Sequence, residues 1–257
     1  MKLKFKKHSN VFAVIAIVLS LFVFGCTKQK ETLPEGFVFL TDVDPTVIEN
    51  MRYATEHNFL GRVVPGYSSQ RVVCTKQAAL ALKTVHDNLK KQGYNLVVYD
   101  AYRPQRAVDA FVKWADDLND LKAKSLYYPT IDKKDLFKLD YIADKSSHTR
   151  GSTFDLSIIK TGDKLKPLEV SYRKLTSGLE IPFLDDNTVD MGGSFDLFHP
   201  ASHHDSALVN EQQTNMRNLL RDSMKQQGFK EYKEEWWHYT LANEPYPDTY
   251  FDFIVTS

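Results

Sequence analysis

Two spacings of apolar residues place the elements of this 257-residue chain. Ala79, Leu80, Leu82, Val85 and Leu89 recur at helical intervals between Thr75, a candidate N-cap, and Gly93, a stop, which predicts a helix over Lys76 to Gln92. Leu96-Val97-Val98-Tyr99 predicts a short buried strand, and Pro104 opens a second helix with Ala107, Ala110, Phe111 and Trp114 along one face. From Thr153 to Ile159 the spacing drops to two. Phe154, Leu156 and Ile158 share one face and Thr153, Asp155 and Ser157 the other, as in a half-buried strand with a polar side. Residues 185–206 are rich in Asp, Gly, Ser and His and lack a helical period, so they read as a long loop. A third helix is expected from about Leu208 to Gln227, ended by Gly228, and aromatic Tyr232 to Leu241 reads as strand. With no internal repeat and no second linker, the pattern is that of a single α+β domain.

The N-terminus follows a different rule. Lys2, Lys4, Lys6 and Lys7 precede an apolar run from Val11 to Phe24 broken only by Ser20, and polar residues follow Gly25-Cys26. The run is short for a bilayer span, which needs about 20 apolar residues, and its layout is that of a secretory signal. Its end resembles a bacterial lipoprotein signal, which implies cleavage after Gly25 and a lipid on Cys26. The alternative is an uncleaved membrane anchor. The expected division is a signal over 1–25, a tether over 26–36 and an exported domain over 37–257. Cys74 is then left without a partner and reads as a small apolar core residue.

Composition narrows the function. Lys+Arg and Asp+Glu both number 33, so no excess of positive charge suits a nucleic-acid partner. Two cysteines exclude a Cys-rich zinc module and a disulfide framework. Of eight histidines, His86 reads as a surface residue of a helix and His199, His203 and His204 as a solvated loop cluster.

Three segments carry candidate chemistry. In Ser146-Ser147-His148-Thr149-Arg150-Gly151-Ser152-Thr153-Phe154-Asp155, a loop histidine, a turn glycine and a strand aspartate can meet, either as zinc ligands or as a plain His-Asp hydrogen bond. In Glu234-Glu235-Trp236-Trp237-His238, a carboxylate three residues before a histidine can act as a base beside a metal ligand. An ideal strand would point Glu235 and His238 to opposite sides, so this reading requires a twist, bulge or turn. The other possibility is a surface Glu pair beside an aromatic cluster. In Asp100-Ala101-Tyr102-Arg103-Pro104, an arginine between a strand and a helix can be aimed at an oxyanion or make a structural ion pair.

Taken together, these segments resemble the zinc D-alanyl-D-alanine dipeptidases of the VanX type, in peptidase family M15. The likeness extends to Met51-Arg52-Tyr53-Ala54-Thr55 with Asn58-Phe59-Leu60-Gly61, to Asp190-Met191-Gly192-Gly193-Ser194-Phe195-Asp196, and to the tail Glu244 to Phe253, covering nearly all of the exported chain. It implies a Hedgehog/D,D-peptidase-like domain with a central antiparallel sheet flanked by helices. It implies one Zn2+ per chain on His148, Asp155 and His238, with Glu235 as base and Arg103 steadying the transition state. Tyr53, Ser146 and Asp196 would line the pocket for D-Ala-D-Ala, Asp196 facing the ammonium and Ser146 the carboxylate. Two other activities remain open here: a zinc D,D- or L,D-carboxypeptidase trimming peptidoglycan stems, and a non-enzymatic cell-wall-binding lipoprotein. Retention of a base argues against the second.

Overall fold

Cross-strand pairing makes the alternating Thr153 segment the middle of the molecule. The computed structural model describes Met1 and residues 33–256; the signal-like segment, Cys26 and most of the expected tether lie outside the described residues. Leu33 packs on the core and the Pro34 carbonyl accepts from Phe37 N at 3.1 Å.

In chain order the strands and α-helices are β1 (Phe37–Phe39), α1 (Leu40–Val43), β2 (Ile48–Glu49), β3 (Val73–Thr75), α2 (Lys76–Lys90), β4 (Tyr94–Asp100), α3 (Gln105–Asp116), α4 (Lys124–Tyr127), β5 (Thr153–Lys160), β6 (Glu169–Lys174), β7 (Glu180–Asp185), α5 (Glu211–Gln226), β8 (Phe229–Tyr232) and β9 (Glu235–Leu241). The main sheet has the order β2-β4-β5-β9-β8, antiparallel except for the parallel β2–β4 edge; β1–β3 and β6–β7 form separate antiparallel pairs. Helices α2 and α5 pack on each other, α2 also on β4 and α5 on β8 and β9.

Local chemistry explains the helix ends. Thr75 Oγ1 accepts from Ala78 N and starts α2 where expected. Helix α5 starts three residues later than Leu208 because Asn210 forms a capping box: its Oδ1 accepts from Gln213 N and its own N donates to Gln213 Oε1, both at 2.9 Å. The aromatic segment expected as one strand is a hairpin, β8 and β9, with a register shift between Glu231 and Tyr232.

Burial corrects three expectations. Strand β5 is buried on both faces rather than half-buried: on its polar side Asp155 lines a cavity shared with Tyr53, Phe59 and Phe111, and Thr153 Oγ1 lies 2.9 Å from Thr240 Oγ1. His86 is not a surface residue: it is fully buried, with Nδ1 2.6 Å from Asp44 Oδ2 and Nε2 3.3 Å from Asn95 Oδ1. The His199–His204 cluster is not solvated either. His199 and His204 are buried, and residues 185–206 pack tightly around one 3-10 turn, Pro200–Ser202. Cys74 is buried within the core and forms no disulfide among the described residues.

Candidate active site

The site forms where a capped turn meets two central strands. His148 sits in the 3-10 turn Ser147–Arg150, capped by Ser146 Oγ, which accepts from His148 N at 3.3 Å. Gly151 ends the turn at φ +82°, and a Cβ there would fall 2.3 Å from the Phe37 ring, so a side chain is excluded on two grounds. Asp155 on β5 and His238 on β9 are direct antiparallel partners. Opposed residues of such a pair point to the same face, which delivers the carboxylate and the second imidazole together.

Glu235 reaches the same spot through an irregular strand start. Trp236 and Trp237 are buried in succession, and regular alternation begins only at Trp237. The hairpin bulge thus turns Glu235 to the side of His238, with Oε2 3.3 Å from His238 Nδ1.

The donor set suits a cation. His148 Nδ1 lies 2.8 Å from the Ala101 carbonyl, which can only accept, so the proton sits on Nδ1 and the Nε2 lone pair faces the site. Nε2 lies 3.2 Å from Asp155 Oδ2 and 3.3 Å from His238 Nδ1. His238 Nδ1 lies 3.1 Å from Asp155 Oδ1, while its Nε2 can donate to Ser147 Oγ at 3.2 Å. Among the described residues Asp155 Oδ1 is buried and has no hydrogen-bond donor in good geometry. Candidate ligand atoms of His148, Asp155 and His238 all lie within 4.8 Å of one another. Two imidazole nitrogens and a carboxylate gathered at one point match the ligand types of a zinc site that keeps one position open.

Charge is held tightly around this point. Burial opposes ionisation of Asp155, but His148 and His238 outweigh it and hold the carboxyl well below the usual range. Burial likewise opposes the His238 imidazolium, and the carboxylates of Asp155 and Glu235 reverse this, pushing it up to about 9. Arg103 lies with its guanidinium 5.0 Å from the Tyr53 ring and 5.1 Å from the Phe111 ring. Its Nε donates to Asp100 Oδ2 at 2.9 Å and its Nη2 to Asp155 Oδ2 at 3.5 Å. Burial disfavours the charged arginine, yet Tyr53, Asp100 and Asp155 raise its pKa well above the ordinary value.

Asp100 received no role from the sequence. It is fully buried, accepts from Tyr67 Oη at 2.7 Å, and lies 3.6 Å from His148 Nδ1 as well as against Arg103. The available signal was its position three residues before Arg103 at the end of a buried strand; nothing local pointed to Tyr67.

A cavity of about 260 Å³ joins these groups. Tyr53, Arg103, Ser146, His148, Asp155, Asp196, Glu235 and His238 all line it, with Phe59, Phe111 and Phe198 as apolar wall. It is smaller than the roughly 300–1,000 Å³ typical of drug-sized ligands. At one wall Tyr53 Oη donates to Asp196 Oδ2 at 2.8 Å; burial, then the Asp155 charge, pushes the Asp196 carboxyl well above its usual value. His199, His203 and His204 are not among the lining residues.

Known proteins resemble this chain over most of its length. A family model described as D-Ala-D-Ala dipeptidase matches residues 34–170 and 179–256, and the unmatched stretch lies within the β6–β7 hairpin. The D-alanyl-D-alanine dipeptidase of Enterococcus faecalis V583 is 38% identical over 224 residues, covering 87% of this chain and 100% of its own length. That of Streptomyces coelicolor is 38% identical over 219 residues, covering 85% and 98%, and that of Escherichia coli K12 is 27% identical over 207 residues, covering 79% and 83%. With residues 34–170 and 179–256 matched by the family model and 38% identity to two such enzymes over 85–87% of its length, the chain belongs to the D-Ala-D-Ala dipeptidase family of M15 peptidases.

Proposed function

We propose that the protein hydrolyses D-Ala-D-Ala to two D-alanines, using one zinc ion per chain on His148, Asp155 and His238. The observation that carries the reading is the convergence of these acceptors, with Glu235 and Arg103 beside them, in one small cavity. Zinc in that position would polarise the scissile carbonyl and lower the pKa of water toward about 7.

The chain's own groups account for the rest. The Glu235 carboxylate accepts a proton from the attacking water and returns it to the leaving nitrogen. The Arg103 guanidinium, held by Asp100, donates to the carbonyl oxygen as negative charge builds there. Asp196, oriented by Tyr53, takes the substrate ammonium, and its desolvated carboxylate is satisfied by that cation. Ser146 Oγ accepts from His148 N, which leaves its proton free to donate to the substrate carboxylate. A charged amino end fixed at Asp196 favours a free dipeptide over a longer stem peptide. The preference for D residues rests on the family.

The test is release of D-alanine from D-Ala-D-Ala by the purified protein, with chelator and after zinc is restored. Activity should vanish with chelator and return with zinc; chelator-insensitive turnover, or none, refutes the reading. Comparable cleavage of a stem pentapeptide would instead point to a carboxypeptidase.

Export with a lipid on Cys26 is supported by the lysine-rich start, the apolar run and Gly25-Cys26. Among the described residues no helix is long and apolar enough to cross a membrane. The mixed sheet with α2 and α5 packed against it supports assignment to the Hedgehog/D,D-peptidase type of α+β domain.

A further inference from the structure

Asp196 stands in the segment Met191–His203 with φ +60°, a left-handed conformation that is uncommon for a non-glycine residue, though less so for Asp than for most. Hydrogen bonds from outside the segment tie its backbone in place. Arg217, in α5, is 0% exposed, and its three guanidinium nitrogens all donate to main-chain carbonyls of this segment. Nε reaches Met191 O at 2.6 Å, Nη1 reaches His203 O at 2.6 Å and Nη2 reaches Ala201 O at 2.7 Å. The acceptors lie on both sides of Asp196 in sequence, so one rigid planar group ties the two ends of the segment to one helix. Trp236 Nε1 adds a bond to Gly193 O at 3.2 Å, linking the segment to the strand of Glu235.

This arrangement is costly unless it achieves something. Burial pushes the Arg217 guanidinium down to about 10 despite the charge of Asp190, and the arginine spends its donors on neutral carbonyls. A flat, three-way donor is what is needed to close a loop whose carbonyls would otherwise be buried without partners.

We propose that Arg217 is a positioning residue that holds Asp196 in the cavity wall and so sets the preference for a substrate with a free amino terminus. This rests on the reading of Asp196 as the ammonium's partner. Arg217 touches no substrate; it acts through the backbone of the Asp196 segment.

The test compares kcat/KM on D-Ala-D-Ala with that on propionyl-D-alanine, which has the same chain without the amine, for wild type, Arg217→Lys, Arg217→Met, Asp196→Asn and the Asp196→Asn/Arg217→Met double variant. Zinc content and far-UV circular dichroism are measured in parallel. Arg217→Lys keeps the charge and the packed stem, but one nitrogen cannot span three carbonyls, so it carries the test should Arg217→Met fold poorly. Either Arg217 variant should lower the ratio of the two efficiencies by at least about tenfold, chiefly through KM on D-Ala-D-Ala, with zinc retained. In the Asp196→Asn background the second substitution should leave the ratio nearly unchanged, because both act on one contact. If Asp196→Asn lowers the ratio while Arg217→Lys and Arg217→Met slow both substrates equally, Arg217 is only structural and the proposal is overturned, with the ammonium reading intact. If Asp196→Asn leaves the ratio at the wild-type value, the ammonium reading falls and the proposal with it.

Discussion

Asp100→Asn tests whether the buried carboxylate at the end of β4 is what aims Arg103. The substitution keeps shape but removes the charge opposite Arg103 Nε, at 2.9 Å, and replaces an acceptor that also serves Tyr67 Oη at 2.7 Å. Were Asp155 engaged by a metal, Asp100 would be the carboxylate left to neutralise the arginine. Removing one partner of a buried ion pair costs about 3–5 kcal/mol. The Arg103 side chain keeps 12% exposure, so the lower end, about 3 kcal/mol, is expected. For a domain of this size each kcal/mol moves Tm by roughly 2–4 °C, which gives a fall of about 6–12 °C. The freed guanidinium also loses its aim at the developing oxyanion, and loss of one such donor costs about 100- to 1,000-fold in kcat. Zinc content should stay normal, since His148 Nδ1 keeps the Ala101 carbonyl at 2.8 Å. Differential scanning calorimetry, metal analysis and steady-state kinetics on one preparation separate these effects. A Tm within about 2 °C of wild type together with kcat within about threefold would refute the assignment. Zinc loss would show instead that Asp100 acts through His148.

Alanine at His148, Asp155 or His238 should each lower zinc occupancy at limiting metal, because each removes one of three candidate ligands; a variant that binds zinc fully is thereby removed from the site. Glu235→Gln should keep zinc and lose at least about 100-fold in kcat, and loss of metal would mean that Glu235 is a ligand rather than a base. Among the described residues His204 is buried with neither ring nitrogen hydrogen-bonded, and burial, reinforced by Arg221 and Arg217, pushes its pKa down to about 4. The unfolded chain takes a proton near pH 6.5 that the folded one refuses, so stability should fall by about 3 kcal/mol as pH drops from about 6.5 to 4. Replacing His204 with Gln should flatten that part of the stability profile, and an unchanged slope in chemical denaturation would exclude His204 as its source. Labelled fatty acid should attach to wild-type protein and not to Cys26→Ser in cells that process lipoproteins; equal labelling, or none, contradicts the anchor.

What the sequence determined by itself is local. The helical spacing from Ala79 to Leu89 set α2, Pro104 set the start of α3 and the two-residue period set β5, because each is written in a backbone repeat that neighbouring residues complete. The chemistry of the site was legible for a similar reason: imidazole and carboxylate keep their donor character wherever the chain places them, and their order along it matched a known family. Placement was decided by tertiary structure alone. Asp155 and His238 become neighbours only when β5 pairs with β9, and Glu235 joins them only because a bulge breaks the alternation that local rules would impose. Asp100 gained its part only when Arg103, Tyr67 and His148 closed around it, and His86 and His204 were read as exposed because burial depends on partners that arrive from distant segments. The strand period specifies which face a residue can occupy; long-range pairing, with its register and its bulges, specifies what that face meets.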